Sequence, residues 1–233
     1  MKRIFNIKLC YISAVLLFFV LETATAQDKS YQQTKDSLTH ELNQSQNEGE
    51  KARLLYLLSE NEFINEHLQK AIEYAEKSQK MAINTNNKQL QSQNNLIIAQ
   101  SYHKNDQKQH ALEYYIRAAN AAEKAEDKAL AAFIYSRIAV LNSEIQAYNK
   151  AVEYNQKAAD NYRASNQHQA ALLHQENAGM ALLKAEEYQQ AIKTFESVLN
   201  EYKKTDNKNK QIATLENLVF AYRKRKQYDK ALE

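Results

Sequence analysis

The chain has 233 residues, no proline, two glycines (Gly49 and Gly179) and a formal net charge of +3. Hairpin turns and sheet corners draw on glycine and proline, so this composition argues against an all-β chain or a Rossmann sheet, and neither GxGxxG nor GxxxxGK[ST] can be written with two glycines. Hydrophobic residues make up 44% of the chain and charged residues 25%, which is enough apolar content for a sizeable core and predicts a soluble, all-α body.

Residues 1–26 read as a secretory signal peptide. A charged stretch with Lys2, Arg3 and Lys8 precedes an uncharged apolar run from Leu9 to Leu21, and the small-residue site Ala24-Thr25-Ala26 follows. As a helix that run reaches about 20 Å, short of the roughly 30 Å hydrocarbon core. The expected mature chain starts at Gln27 in the periplasm or another extracytoplasmic space, with retention as an uncleaved anchor as the alternative. The segment holds most of the net positive charge, so the mature body is nearly neutral. It lacks the basic excess that phosphate backbones require, and a nucleic-acid partner is not expected. Cys10, the single cysteine, lies within this segment; cleavage would leave no thiol for disulfides, thiolate catalysis or metal ligation. No second apolar run is long enough to span a membrane. Residues 27–47 read as an N-terminal capping helix, with Leu38 and Leu42 one turn apart.

From residue 48 onward the chain repeats. Ala71, Ala111, Ala151, Ala191 and Ala231 fall forty residues apart, and Ser59, Ala99, Ala139, Gly179 and Val219 precede them at a fixed offset. Small residues on two helices let backbones approach closely while larger neighbours fill the remaining volume. Polar links recur at the same spacing, among them Thr85-Asn86-Asn87-Lys88, Ser165-Asn166-Gln167 and Thr205-Asp206-Asn207-Lys208. Asn tolerates the left-handed conformation, and Asn, Asp, Ser and Thr cap helices, so these residues replace the missing glycine and proline. Turns near Asn105-Asp106, Gln146-Ala147 and Glu186-Glu187 divide each repeat into two helices of about 16–18 residues, roughly 25 Å long.

This pattern resembles the tetratricopeptide repeat (TPR) family. The small first-helix residue matches Ala99, Ala139 and Gly179, the aromatic one turn later matches Tyr102 and Tyr222, and the second-helix alanine is followed by Tyr115 and Phe195. The period departs from the family's 34 residues, the leading tryptophan is missing and no proline closes a repeat; longer helices resemble the elongated arrays of bacterial regulatory proteins. The resemblance implies a right-handed α-solenoid of antiparallel helix pairs over residues 48–233, with four full repeats and an incomplete fifth.

The six histidines form no i, i+4 pair and no HExxH, no GxSxG can be written, and no cofactor or metal site is expected. A solenoid of helix pairs makes a concave face lined by its first helices. Transferring the TPR frame places Arg53, Tyr56, Glu60, Gln93, Gln100, His103, Phe133, Ser136, Val140, Glu176, Met180, Glu216, Phe220 and Arg223 there. Tyr56, Phe133, Met180 and Phe220 would be aromatic or apolar anchors for a peptide. The Lys and Asn with which some TPR domains clamp a terminal carboxylate are replaced by Tyr56, Leu96, Ser136 and Glu176 and by Glu60, Gln100, Val140 and Met180. Asn and Gln are expected on solvated surfaces. The functional expectation is a non-catalytic, exported scaffold that binds a protein or peptide. The alternative is the N-terminal sensor region of a membrane signalling protein, a histidine kinase or DNA-binding regulator, whose remainder follows residue 233. Self-association through an open C-terminal end is a further expectation.

Overall fold

A computed structural model describes residues 29–205 and 207–232. The signal-peptide expectation and Cys10 lie outside the described residues. Helix α1 spans 29–44. It is followed by α2 (Glu48–Ile64), α3 (Leu68–Asn84), α4 (Lys88–Lys104), α5 (Lys108–Lys124), α6 (Lys128–Glu144), α7 (Tyr148–Ala164), α8 (His168–Lys184), α9 (Tyr188–Lys204), α10 (Lys208–Lys224) and α11 (Tyr228–Leu232). No strand occurs among the described residues, and no helix there is long and apolar enough to cross a membrane.

Helices α2 to α10 have 17 residues each, and three-residue turns join them, so two helices and two turns make the forty-residue period. One turn geometry recurs among the described turns between α2 and α11. After α4, Asp106 adopts φ 56°, its N–H bonds His103 O, and Gln107 N–H reaches back to Tyr102 O. This pair of bonds satisfies carbonyls that the helix end would leave orphaned. Five of the eight left-handed positions among the described residues depart from the expected residue type. Glu66, Glu126, Gln146, Glu186 and Lys226 take positive φ as well as Asn86, Asp106 and Asn166, because the double hydrogen bond holds the conformation whatever side chain points to solvent. Side-chain caps follow the repeat with one exception: Asn47, Asn87, Asp127 and Asn207 each accept from a backbone N–H at the start of a first helix, Gln167 before the first helix α8 caps nothing, and neither do His67, Gln107, Ala147 and Glu187 before the second helices.

Consecutive helices pack as antiparallel pairs along the whole array. The repeat alanines Ala71, Ala111, Ala151 and Ala191 are fully buried, as their placement at close backbone approach requires. Ala121, which stands outside that frame, is buried as well. First helices bury two sides: α4 hides Leu90, Gln91, Ser92, Asn94, Asn95, Ile97, Ile98, Ala99 and Ser101. Second helices bury one stripe, in α5 Ala111, Tyr115, Ala118, Ala119, Ala121 and Ala122. The expectation that amides stay on the surface is corrected here. Asn94, Asn95, Asn142, Asn155 and Gln91 are buried, and they bond locally: Gln91 Nε2 donates to Ala82 O at 2.9 Å, Asn142 Nδ2 to Ile138 O at 2.8 Å. Such bonds remove most of the cost of burying an amide.

The N-terminal helix α1 docks by charge as much as by its leucines, which are only half-buried. The carboxylate of Glu62 on α2 has no solvent exposure; Lys35 Nζ lies 2.7 Å from it and Tyr31 Oη donates to it at 2.9 Å, both from α1. His67 Nδ1, in the turn after α2, is also 2.9 Å away. Burial pushes the Glu62 carboxyl up, but the hydrogen bonds from Lys35, Tyr31 and His67 outweigh it and hold the group below its ordinary range.

Candidate protein-binding face

First helices of neighbouring repeats touch, α2 against α4 and α8 against α10, while second helices of neighbouring repeats show no packing of similar extent among the described residues. The first helices therefore line the inside of the bend.

On that inner side an apolar column runs across the C-terminal repeats. Val140 on α6, Met180 on α8 and Phe220 on α10, forty residues apart, are 46%, 38% and 47% exposed. Phe133 and Leu173, each seven residues earlier and so on the same helix face, are exposed too. The column opens into two adjoining hollows. One, of about 400 Å³, is lined by Val140, Ser143, Glu144, Asn155, Asn177, Met180, Ala181 and Lys184. The next, of about 500 Å³, is lined by Met180, Leu183, Lys184, Glu186, Tyr188, Glu216, Asn217, Phe220 and Lys224. A third, of about 290 Å³, lies toward the N-terminus between Phe63, Gln100, His103, Lys104, Tyr115 and Arg137.

Of the expected face residues, Gln100, His103, Val140, Met180, Glu216 and Phe220 line these hollows, and Phe133 extends the apolar column. Arg53 is exposed but pairs with Glu50 at 2.7 Å. Gln93 and Tyr56 are half-buried; Tyr56 Oη donates to Glu60 Oε1 at 2.5 Å, and burial together with that carboxylate raises the phenol. Arg223 is exposed and lines none of the three hollows. Two expectations are corrected: Ser136 and Glu176 are buried and do not line the face. Ser136 Oγ donates to Phe133 O at 2.6 Å. Glu176 Oε2 accepts from Tyr202 Oη at 3.2 Å and from Lys210 Nζ at 3.0 Å, tying α8 to α9 and α10. Both lie about 40° around the helix from Val140 or Met180, at the buried edge of the exposed strip, and each precedes an exposed residue, Arg137 or Asn177.

The structure adds lining residues that the TPR frame left out: Arg137, Asn177, Lys184, Asn217 and Lys224. Their signal in the sequence is the forty-residue series Arg137, Asn177, Asn217 and the series Lys104, Glu144, Lys184, Lys224. His103 and His110 do not meet. His103 Nε2 lies 3.0 Å from Glu144 Oε2, and His110 stacks on Tyr102 with centroids 5.2 Å apart. Lys108 also reaches Glu144, at 3.3 Å; burial pushes the Glu144 carboxyl up, and these two partners bring it below its ordinary range. No group of three or more His, Cys, Asp or Glu that could hold a metal occurs among the described residues.

In sequence, residues 168–233 match the Tetratricopeptide repeat family. The array is TPR-like. It superposes on the apo form of RapI with a TM-score of 0.70 at 17% identity, covering 88% of this chain and 56% of that one, so it spans little more than half of that relative. The TPR-like array also matches a signal transduction ATPase with numerous domains from Pyrococcus horikoshii, a protein with a tetratricopeptide repeat sensor, at a TM-score of 0.62 and 14% identity, covering 79% of this chain and 29% of that one. A Rap protein complexed with competence and sporulation factor matches at a TM-score of 0.55 and 16% identity, with 88% and 67% covered. At such identities the likeness is one of fold. No curated protein sequence matches the chain.

Proposed function

We propose that this TPR-like array is a non-catalytic scaffold that binds another protein or a peptide on its first-helix face, after export directed by residues 1–26. The observation that carries the reading is the column Val140, Met180 and Phe220, exposed and opening into adjoining hollows. Exposed apolar groups rimmed by polar ones on a concave surface mark interaction sites. The outer faces of the complete second helices carry only Ile83 and Ile116 as large exposed hydrophobics among the described residues. The experiment is site-specific photo-crosslinking in the native host with p-benzoylphenylalanine at position 140, 180 or 116, followed by rebinding of the purified partner. Adducts at 140 and 180 and none at 116 are expected; adducts confined to 116 would overturn the reading.

A sensor role, as the N-terminal region of a membrane signalling protein, is the second reading. It is favoured by the likeness to a protein with a tetratricopeptide repeat sensor. A partner that changes the output of a physically linked kinase or regulator, and not merely its own location, would distinguish it from a free-standing scaffold.

A further inference from the structure

We propose that the turn between α10 and α11 docks the array against an anionic phospholipid surface. Arg223, Lys224, Arg225, Lys226 and Lys230 are exposed there, and Tyr228, 58% exposed, stands among them. This role does not depend on what the column of Val140, Met180 and Phe220 binds.

The repeat supplies the comparison. Each of the four equivalent turns holds an acidic residue, Glu66, Asp106, Glu144 or Glu186, and at most one lysine or arginine. In the fifth, residues 223–226 are four consecutive cations, and Asp229 is the single acid between 217 and 232. None of the five cations makes an ion pair among the described residues. Lys224 and Lys230 lie over the rings of Phe220 and Tyr222, 5.5 and 5.9 Å from the centroids. The C-terminal pole of α10 favours Arg223 and Lys224 in its last turn. That attraction fades past the helix end, so it does not account for Lys226, held at φ 59°, or for Lys230.

A cluster of cations beside an exposed aromatic ring is the composition with which proteins bind anionic lipid surfaces. Arg223, Arg225, Lys226 and Lys230 line none of the three hollows, so an enclosed anion or a shaped protein partner gains little from them. The turn joins two helices at the edge of the array, and successive cations diverge by about 100° where α10 ends. Mobile lipid headgroups gather around such a tip and meet all of them. A single-stranded nucleic acid is held instead along a groove with a succession of stacked rings, and here one exposed ring stands within the turn.

The chain contains no tryptophan, so Tyr228→Trp, in the protein purified from its native host, places a single reporter in the turn. Vesicles of equal parts phosphatidylcholine and phosphatidylglycerol should bind this protein and shift its emission to the blue. Pure phosphatidylcholine vesicles should leave the emission unchanged. Each cation near an anionic surface strengthens binding about fivefold, so Arg225→Gln with Lys226→Gln should raise the lipid needed for the half-maximal shift roughly twenty-five-fold. Lys203→Gln with Lys204→Gln removes the same charge at the opposite end of the helices. That end is about 25 Å away, beyond the screening length of about 10 Å at 0.1 M salt, and this pair of changes should leave the titration as it was. All four side chains are exposed, so the variants should keep the wild-type circular dichroism. No blue shift, an equal shift with neutral vesicles, or an equal loss in the two charge variants would overturn the inference. Reversal of the shift by inorganic phosphate at matched ionic strength would overturn it in favour of a free-phosphate site. Binding of oligothymidylate that the changes at 225 and 226 weaken equally would overturn it in favour of a nucleic-acid site.

Discussion

Gly179→Ala sets two known effects against each other. Alanine is favoured over glycine inside a helix by about 1 kcal/mol, and Gly179 sits in the middle of α8 with no positive φ to excuse it. A Cβ built at Gly179 would stand 2.7 Å from Cε1 and 2.8 Å from Cζ of Phe195. The ring has no solvent exposure, so it cannot swing away without repacking α9 against α8. Overpacking of this kind costs about 1–3 kcal/mol. The clash wins, leaving a net loss of roughly 1 kcal/mol and a drop in Tm of about 2–4 °C in a chain of this length. The equivalent pairs in other repeats are Ala99 with Tyr115 and Ala139 with Asn155, so an alanine faces a ring elsewhere in the array, and it is the close approach of Phe195 at Gly179 that excludes a Cβ here. Phe195→Leu alone should destabilise by leaving a cavity, yet in the Gly179→Ala background it should cost less or even restore stability. Thermal and urea unfolding of the two single variants and the double variant, read as a double-mutant cycle, measure the coupling. A Gly179→Ala variant about 1 kcal/mol more stable than the parent, with no coupling to position 195, would refute the reasoning.

Lys35→Met removes the cation facing the buried Glu62 carboxylate and should destabilise the docking of α1 by about 1–3 kcal/mol, read as faster proteolysis within 29–44. Because the folded Glu62 carboxyl is held below its ordinary 4.5, its contribution is present above the unfolded value and is lost as pH falls below it toward the folded one. Undocking of α1 in acid should therefore set in below about pH 4.5, and Glu62→Gln should flatten that dependence; an unchanged acid profile would count against the ion cluster. Glu126 is exposed with φ 57°, so Glu126→Gly should stabilise by about 0.5–1 kcal/mol in thermal unfolding, and Asn166→Gly by less. Helix α10 buries only Thr214, Leu218 and Ala221; its amides should exchange with deuterium faster than those of α6 and α7, and equal protection would contradict this ranking. Mass spectrometry of the native protein should find an N-terminus at Gln27, and an intact Met1 in a membrane fraction would instead mean a retained anchor.

The helix count, the forty-residue period and the close contacts at Ala71, Ala111, Ala151 and Ala191 were legible in the sequence, because each depends on short-range chemistry. A 17-residue helix followed by a three-residue turn is set by hydrogen bonds between residues at most five apart, and five copies of one pattern reinforce each other. The inner face was legible only to within one residue along each helix. Phe133, Val140, Met180 and Phe220, which the repeat frame put on that face, are exposed, while Ser136 and Glu176 are buried. A first helix in a solenoid is covered on two sides, so its buried arc is wide and its exposed strip narrow. A single residue, about 100° of rotation, then decides between lining a hollow and bridging three helices, as Glu176 does through Tyr202 and Lys210. The docking of α1 through Glu62 was not legible at all. Position 62 is Tyr102, Asn142, Leu182 and Tyr222 in the other repeats, and nothing local distinguishes a solvated glutamate from one enclosed by a lysine and a tyrosine 27 and 31 residues earlier. Only the tertiary structure brings those three side chains together, because a charge can be buried there only where its partners arrive with it.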